Sequence, residues 1–538
     1  MVTTPTSENP TNVGITRPTK RATIAMEEGR FDEEKGEGSS SNSNGGATDI
    51  KNSQESGLVG DTKNSKPNSL RHSIAREATA DTNGEGLGGP GMGVPRRMTT
   101  LEMEGRTLKK SFTSLLTPQH RLKPAPGIGE SMLNVLKYTW LNVLLLLIPV
   151  SWALYFTLDR DTKGGSLAIF LTSFLAIMPL AGLLSYGTEE VALRVGQTLG
   201  GLLNATLGNA VELIVAIIAL FHCELVITQT SLVGSVLSNL LLVLGMCFFV
   251  GGLRYKEQEF KQTAAQLNTG MLTMAVISVL IPASFHATLG EDIQDNVERP
   301  DLLQMSRGAS VILFIIYLGY LWFQLKSHTH LYADDSEAEE EPTLHIYVAW
   351  GTLVVSTVLV GVTSEWLVDS LDGFTSGYGV GKTFVGLVLL PIVSNAAEHV
   401  TAVLAARRNA VDLAMGVAVG SSIQIALFVI PLLVIIAWIA DKPLSLLFDP
   451  FVAILMFLAV LIVSYAIADG RSNWMEGYIL MNVFVLMALA SWYVPDLRTD
   501  DPAQITKSTL FPDEYCRNRD FFAMLVGGGG GGSGSGSS

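Results

Sequence analysis

The chain has two regimes of hydrophobic patterning. From about residue 133 onward, apolar runs of roughly 20 residues follow one another, separated by short polar breaks. At a rise of about 1.5 Å per residue, that is the length a helix needs to cross a bilayer. One such run could be a buried core helix. About eleven in succession predict a polytopic, all-α integral membrane protein. The spans fall at 134–157, 166–187, 198–220, 226–250, 263–284, 306–325, 345–368, 383–405, 412–437, 447–467 and 474–494. Residues 1–125 are instead rich in Ser, Thr, Asn, Gly and charge, with few aromatics. Such a segment cannot bury enough apolar surface to offset its ordering entropy, so it reads as a disordered tail. Its opening, MVTTPTSENP, lacks the apolar core of a signal peptide, which leaves insertion to the first span. Residues 495–526 form a C-terminal segment, and 527–538 (GGGGGGSGSGSS) have the composition of an appended flexible linker.

Basic residues set the expected orientation. Arg106, Lys109, Lys110, Arg121, Lys123 and Lys137 precede the first span and favour a cytosolic N-terminus. Arg254, Lys256 and Lys261, and then Arg407 and Arg408, fall on the same side, although Arg160 and Lys163 fall on the other. An odd number of spans puts the C-terminus across the membrane from the N-terminus. The linker 326–344 is then cytosolic and carries Asp334, Asp335, Glu337, Glu339, Glu340 and Glu341. It is either a solvated connection or a cation-attracting, regulatory stretch near the cytosolic entrance. Glu189 and Glu190, before the third span, read as solvated face residues, with a role at the cytosolic entrance as the alternative. The formal charge of −14 argues against a nucleic-acid partner. Cys223, Cys247 and Cys516 have no metal-ligand spacing, and Cys247 reads as a small core residue.

An internal repeat carries the chemistry. Gly208-Asn209-Ala210-Val211-Glu212 matches Ser394-Asn395-Ala396-Ala397-Glu398, 186 positions on (398 − 212). The same offset relates Gly234-Ser235 to Gly420-Ser421, and Ser238 to Gln424. This register predicts a duplicated unit of about five spans, 166–325 and 345–494, with 134–157 as an extra helix outside it. A unit with an odd number of spans inverts when repeated. The two motifs then face each other near the midplane, as in secondary transporters built from inverted repeats.

A carboxylate at that depth costs several kcal/mol unless paired, solvated or protonated, so Glu212 and Glu398 are functional candidates. Asn209 and Asn395 each lie three residues earlier and share a helix face with their glutamate. Ser235 pairs with Ser238, and Ser421 with Gln424, on two further faces. The set offers hard oxygens and no His or Cys, which suits calcium, disfavours zinc and copper, and leaves manganese and sodium open. Gly208 and Pro391 mark helix breaks that either add backbone ligands or serve packing. His399 follows Glu398 by one step of about 100°, off its face, and reads either as a hydrogen-bonding residue to a neighbouring span or as an aid to proton passage.

The strings GNAVELIVAIIAL (208–220), GSVLSN (234–239), SNAAEHVTAVLAARRN (394–409) and GSSIQIALFV (420–429) resemble the calcium/cation–proton exchanger branch of the cation/calcium exchanger superfamily. The resemblance covers roughly residues 130–495, and the architecture is similar to that of fungal vacuolar exchangers. It implies Glu212 and Glu398 as calcium and proton carriers, with Asn209, Asn395, Ser235, Ser238 and Gln424 around them, and a vacuolar membrane location. The expected activity is calcium export from the cytosol in exchange for protons, with no resident cofactor. Sodium or manganese exchange, or a passive cation channel, are the rivals. No nucleophile–base set, phosphate loop or HExxH motif speaks for an enzyme.

Overall fold

The structure of the protein, a computed structural model, describes residues 124–160, 162–195, 197–289, 295–332, 342–494 and 516. The expected tail, apart from its last two residues, lies outside the described residues. So do Asp334, Asp335, Glu337, Glu339, Glu340 and Glu341, and the C-terminal segment other than Cys516.

The apolar runs fold as helices, and local capping explains where several begin. Ile128–Lys137 (α1) is a separate amphipathic helix. Thr139 is extended, and its hydroxyl accepts from the Leu141 amide at 3.3 Å, starting a 3-10 turn at Trp140 that runs into α2 (Leu147–Thr157). The first candidate span therefore starts at Trp140 and not at 134. The hydropathy run had merged two helices across a break made by backbone geometry. Lys163–Ala192 (α3) is longer than the 22 residues expected at 166–187, and the Thr162 hydroxyl caps it.

Next come α4 (Gln197–Leu207), α5 (Ala210–Phe221), α6 (Leu225–Leu237), a π-helical segment Ser238–Val243, and α7 (Leu244–Arg254). The strand β1 (Gln258–Glu259) leads to α8 (Gln262–Leu289) and α9 (Asp295–Trp322). The second part holds α10 (Ile346–Asp369), α11 (Leu371–Tyr378), α12 (Lys382–Phe384), α13 (Leu390–Ser394), α14 (Ala396–Arg407), α15 (Val411–Gln424) and α16 (Ile430–Ile439). It closes with α17 (Pro450–Ala466), β2 (Arg471–Ser472) and α18 (Trp474–Trp492). Asn473 and Glu476 form a reciprocal capping box that starts α18.

Among the described residues, eight helices are long and apolar enough to cross a membrane. Two bent pairs, Leu199–Leu207 with Ala210–Phe221 and Lys382–Ser394 with Ala396–Arg407, turn by 44° and 62°. Pro450–Ala466 is a shorter apolar helix. The segment Leu225–Arg254 is 78% enclosed by protein, and Val411–Ile439 61%, whereas Trp140–Thr157 is only 11% enclosed. Those two enclosed segments carry Ser235, Ser238, Ser421 and Gln424, and Lys163–Ala192 is also 61% enclosed. The outer helices expose Val354, Val355, Ile312 and Ile315, which is the surface a bilayer requires.

Contacts between connections sort to two ends of the bundle. At one end β1 pairs antiparallel with β2, Gln258 donates to Ala406 O and Asn409 Oδ1, and Lys261 N donates to Asp412. At the opposite end Lys382 pairs with Glu224 at 2.6 Å, Arg160 pairs with Asp369, and Cys223 and Cys516 form a disulfide. Cys247 is a buried free thiol.

Candidate cation site

Both glutamates stand in the first turn of a half-helix, and in each case the break falls at the preceding asparagine. Asn209 (φ −100°, ψ 28°) interrupts the chain before α5, and Asn395 (φ −97°, ψ 8°) before α14. Neither asparagine caps its helix with its side chain, so both amides are available for contacts across the bundle. The carboxylates of Glu212 and Glu398 face the positive ends of the α5 and α14 dipoles. The two breaks have similar dihedrals and lie 186 residues apart (395 − 209).

The helix faces opposite are also matched. The π-helical segments Ser238–Val243 and Ile425–Val429 occupy the same place at that offset. Such widened turns re-aim side chains and are frequent at functional sites. Gly234 lets α6 approach the π-helical segment Val385–Leu389 backbone to backbone.

A hydrogen-bonded chain crosses between the two motif groups. Asn239 Nδ2 donates to Ser421 Oγ at 3.1 Å, Ser421 Oγ donates to Asn209 Oδ1 at 2.8 Å, and Asn209 Nδ2 donates to Gln424 Oε1 at 2.6 Å. Ser421 also lies beside Glu398, and Ser394 beside Glu212. A hydroxyl has one proton, so Ser421 can serve the Asn209 carbonyl or the Glu398 carboxylate, not both at once. Ser238 and His399 Nε2 are 3.4 Å apart, which places His399 against a neighbouring helix as expected.

The arrangement departs from two-fold symmetry where the side chains differ in length. Gln424 reaches Asn209, whereas its counterpart Ser238 is shorter and meets His399. Asn395 Nδ2 is left buried without a hydrogen-bond partner.

Glu212 is buried, and Glu398 is partly buried. Each has one enclosed oxygen with no hydrogen-bond partner, Glu212 Oε1 and Glu398 Oε2. An orphaned carboxylate oxygen in a low-dielectric interior is costly and is relieved by a proton or a cation. A pocket reaches Glu212 and is lined by Ser231, Ser235, Leu390, Pro391 and Ser394 among others. It occupies the half of the bundle nearer Cys223 and Lys382. Asn209, Asn395, Ser235, Ser238 and Ser421 are all buried, and Gln424 is partly so. Glu212, Glu398, Asn209, Ser421 and Gln424 come together through these contacts, Ser235 lines the pocket at Glu212, Ser238 meets His399, and Asn239 and Ser394 join the group. Asn239 and Ser394 lay within the repeated strings and carried no role by spacing alone. Their contacts depend on which helix face the π-helical turn and the break present.

Glu189 is exposed at the end of α3, where the Ser185 hydroxyl lies 3.4 Å from it. Glu190, read as a solvated face residue, is instead buried. It pairs with Arg194 at 2.8 Å and accepts from the Thr343 and Leu344 amides at 2.8 and 3.2 Å. Its reversal of expectation is tertiary: the chain re-entering before α10 folds over it.

The pattern of the family described as Sodium/calcium exchanger protein matches residues 165–326 and 348–493. A vacuolar calcium ion transporter of Cryptococcus neoformans var. grubii serotype A is 43% identical over 498 residues, covering 76% of this chain and 82% of that protein. A Ca(2+)/H(+) antiporter of Aphanothece halophytica is 40% identical over 379 residues, covering 68% of this chain and 98% of that protein. The solved structure of native YfkE superposes with a TM-score of 0.56 at 34% identity, covering 66% of this chain and all of that one.

Proposed function

The chain belongs to the sodium/calcium exchanger protein family, and from that premise we propose that it is a secondary antiporter moving calcium from the cytosol into an acidic vacuole in exchange for protons. The observation that carries the reading is the pair of enclosed carboxylate oxygens, one on Glu212 and one on Glu398, that have no hydrogen-bond partner. The neighbouring donors are amide and hydroxyl oxygens, which match a hard divalent cation that accepts six to eight oxygen ligands. The names of the relatives favour calcium as the cargo and protons as the counter-ion.

Eight long helices, two bent pairs and the short helix α17 make eleven crossings in this reading. The contacts between connections support it: every pairing described above joins loops that eleven crossings place on one side. The end with Arg254, Lys256, Lys261, Arg407 and Arg408 is cytosolic by the positive-inside rule. The N-terminus is then cytosolic and the C-terminus lumenal. The helices on either side of the linker form two five-helix units of opposite orientation, α3–α9 and α10–α18, preceded by α2.

Facing the cytosol, the two ionised glutamates share one calcium ion. The protein then reorients toward the lumen, where abundant protons compete for the same oxygens and displace the cation. Doubly protonated, the empty site is neutral and returns. Coupling needs no second site, because cation and protons exclude each other at one pair of side chains. The Ser421 hydroxyl can follow the change, donating to Glu398 when it is ionised and to Asn209 otherwise.

The test is proton-gradient-driven calcium uptake into sealed vesicles, with Glu212→Gln and Glu398→Gln made separately. Both variants are expected at background. Wild-type uptake by either would sink the shared-site mechanism. Uptake that survives a protonophore and follows an imposed sodium gradient would refute proton coupling.

A further inference from the structure

The disulfide joins two cysteines 293 residues apart, Cys223 in the turn between α5 and α6 and Cys516 beyond α18. Neither belongs to the exchange site, yet the backbone at Cys223 is unusual. Its φ is +60°, in the left-handed region that L-residues other than Asn and Asp rarely enter. The residue 186 positions on (409 − 223) is Asn409, with φ +68°, in the matching turn between α14 and α15. Asn409 suits that conformation, and its side chain is held by Gln258 at 2.8 Å. At the opposite end of the bundle the same tight turn is built on a cysteine, which conformation does not favour. Its sulfur, and not its backbone preference, is what this position uses.

The surroundings suit that chemistry. The Lys442 ammonium, just past α16, donates to Cys223 Sγ at 3.2 Å, and Lys442 is itself only 3% exposed. A cation at that distance favours the thiolate that attacks a disulfide. Glu224, the next residue, pairs with Lys382 at the start of α12. Two consecutive residues thus meet the ends of all four site-bearing segments: α5, α6, the α12–α14 run and α15–α16.

We infer that Cys223 and Cys516 form a native intrachain disulfide on the lumenal face, which ties Cys516 to the point where the site-bearing helices converge. Cytosolic thiol buffers would reduce such a bond, so its end of the bundle faces an oxidising compartment. That sidedness rests on the eleven-crossing reading above; the bond itself does not. Its formation is thiol–disulfide exchange with a dithiol–disulfide oxidoreductase of the secretory lumen. The Cys223 thiolate attacks the partner's disulfide and releases one partner thiolate. The Cys516 thiolate then attacks the Cys223 sulfur of the mixed disulfide and releases the second. Two thiols of this chain are oxidised, the partner's disulfide is reduced to a dithiol, and the two protons pass to it.

The test counts maleimide–polyethylene glycol adducts on the full chain, denatured with and without prior reduction. Of the three cysteines, Cys247 is free. One adduct is expected without reductant and three with it, and Cys516→Ser should give two without reductant. Three adducts on the unreduced wild-type chain, or a disulfide-linked dimer on a non-reducing gel, would overturn the bond. In sealed, cytosolic-side-out vesicles a membrane-impermeant phosphine should add no adducts until the membrane is opened. Reduction in sealed vesicles would overturn the sidedness and leave the bond standing.

Discussion

Gly234 and Gly420 are equivalent in the sequence repeat, but the structure gives them opposite sensitivities. A Cβ on Gly234 would lie 2.6 Å from Leu387 O and 2.7 Å from both Gly386 O and Leu387 Cα. All three are backbone atoms, so no side chain can swing away, and the two segments must part. Overpacking of this kind costs about 1–3 kcal/mol. A Cβ on Gly420 meets no heavy atom within 4 Å, so alanine there recovers the backbone entropy that glycine loses, about 0.5–1 kcal/mol. Gly234→Ala should therefore lower, and Gly420→Ala hold or raise, the midpoint of thermal inactivation of the purified protein in detergent. The two variants should differ by about 2–4 kcal/mol on adding these terms. Calcium uptake should fall with Gly234→Ala, since Ser235 is the next residue and lines the cavity at Glu212. A Gly234→Ala protein as heat-stable as wild type, or the reverse order of the two, would refute the backbone-contact reasoning.

The asymmetry of the two asparagines gives a second comparison. Asn209→Ala loses bonds to Ser421 and Gln424 and should cost about 1–2 kcal/mol in detergent melts, at about 0.6 kcal/mol per interhelical bond plus the orphaned partners. Asn395→Ala, whose Nδ2 has no partner, should cost measurably less stability while still depressing uptake; equal losses would contradict the network. Glu190→Ala should cost about 3–5 kcal/mol, because it leaves Arg194 without its buried carboxylate, and limited proteolysis should open the segment at Thr343; unchanged melting would show the clamp to be dispensable. Asp449 caps α17 through the Phe451 amide at 2.8 Å, and burial holds its carboxyl above the ordinary range while the Phe451 and Val452 amides pull it back. The fold thus favours the protonated acid, and that contribution is lost as pH rises above 3.8 through the folded value. Asp449→Asn keeps the cap, so its stability relative to wild type should rise between pH 4 and 7 in melts; a flat difference would refute the assignment.

Hydropathy alone marked the helical runs and most of their extents, because a bilayer-length apolar stretch has few other stable forms. The repeat offset of 186 was also legible, and it singled out Glu212, Glu398, Asn209, Asn395, Ser235, Ser238, Ser421 and Gln424 before any coordinates. Composition could not resolve what depends on backbone geometry or on segments distant in the chain. The Thr139 break that shortens the first span is a dihedral change inside an apolar run. The burial of Glu190 arises from residues 343 and 344 folding over it. Asn239 joins the site because the π-helical turn rotates the face on which it sits. The link from Cys223 to Cys516 was invisible for the same reason: spacing along a chain says nothing of two residues 293 apart that tertiary packing brings together. The sequence by itself determined which residues recur at a common offset. The tertiary structure decided which repeated positions are equivalent in fact. Gly234 touches backbone where Gly420 touches nothing, and Gln424 reaches Asn209 where Ser238 stops at His399, because helix crossings and side-chain reach, not register, set those contacts.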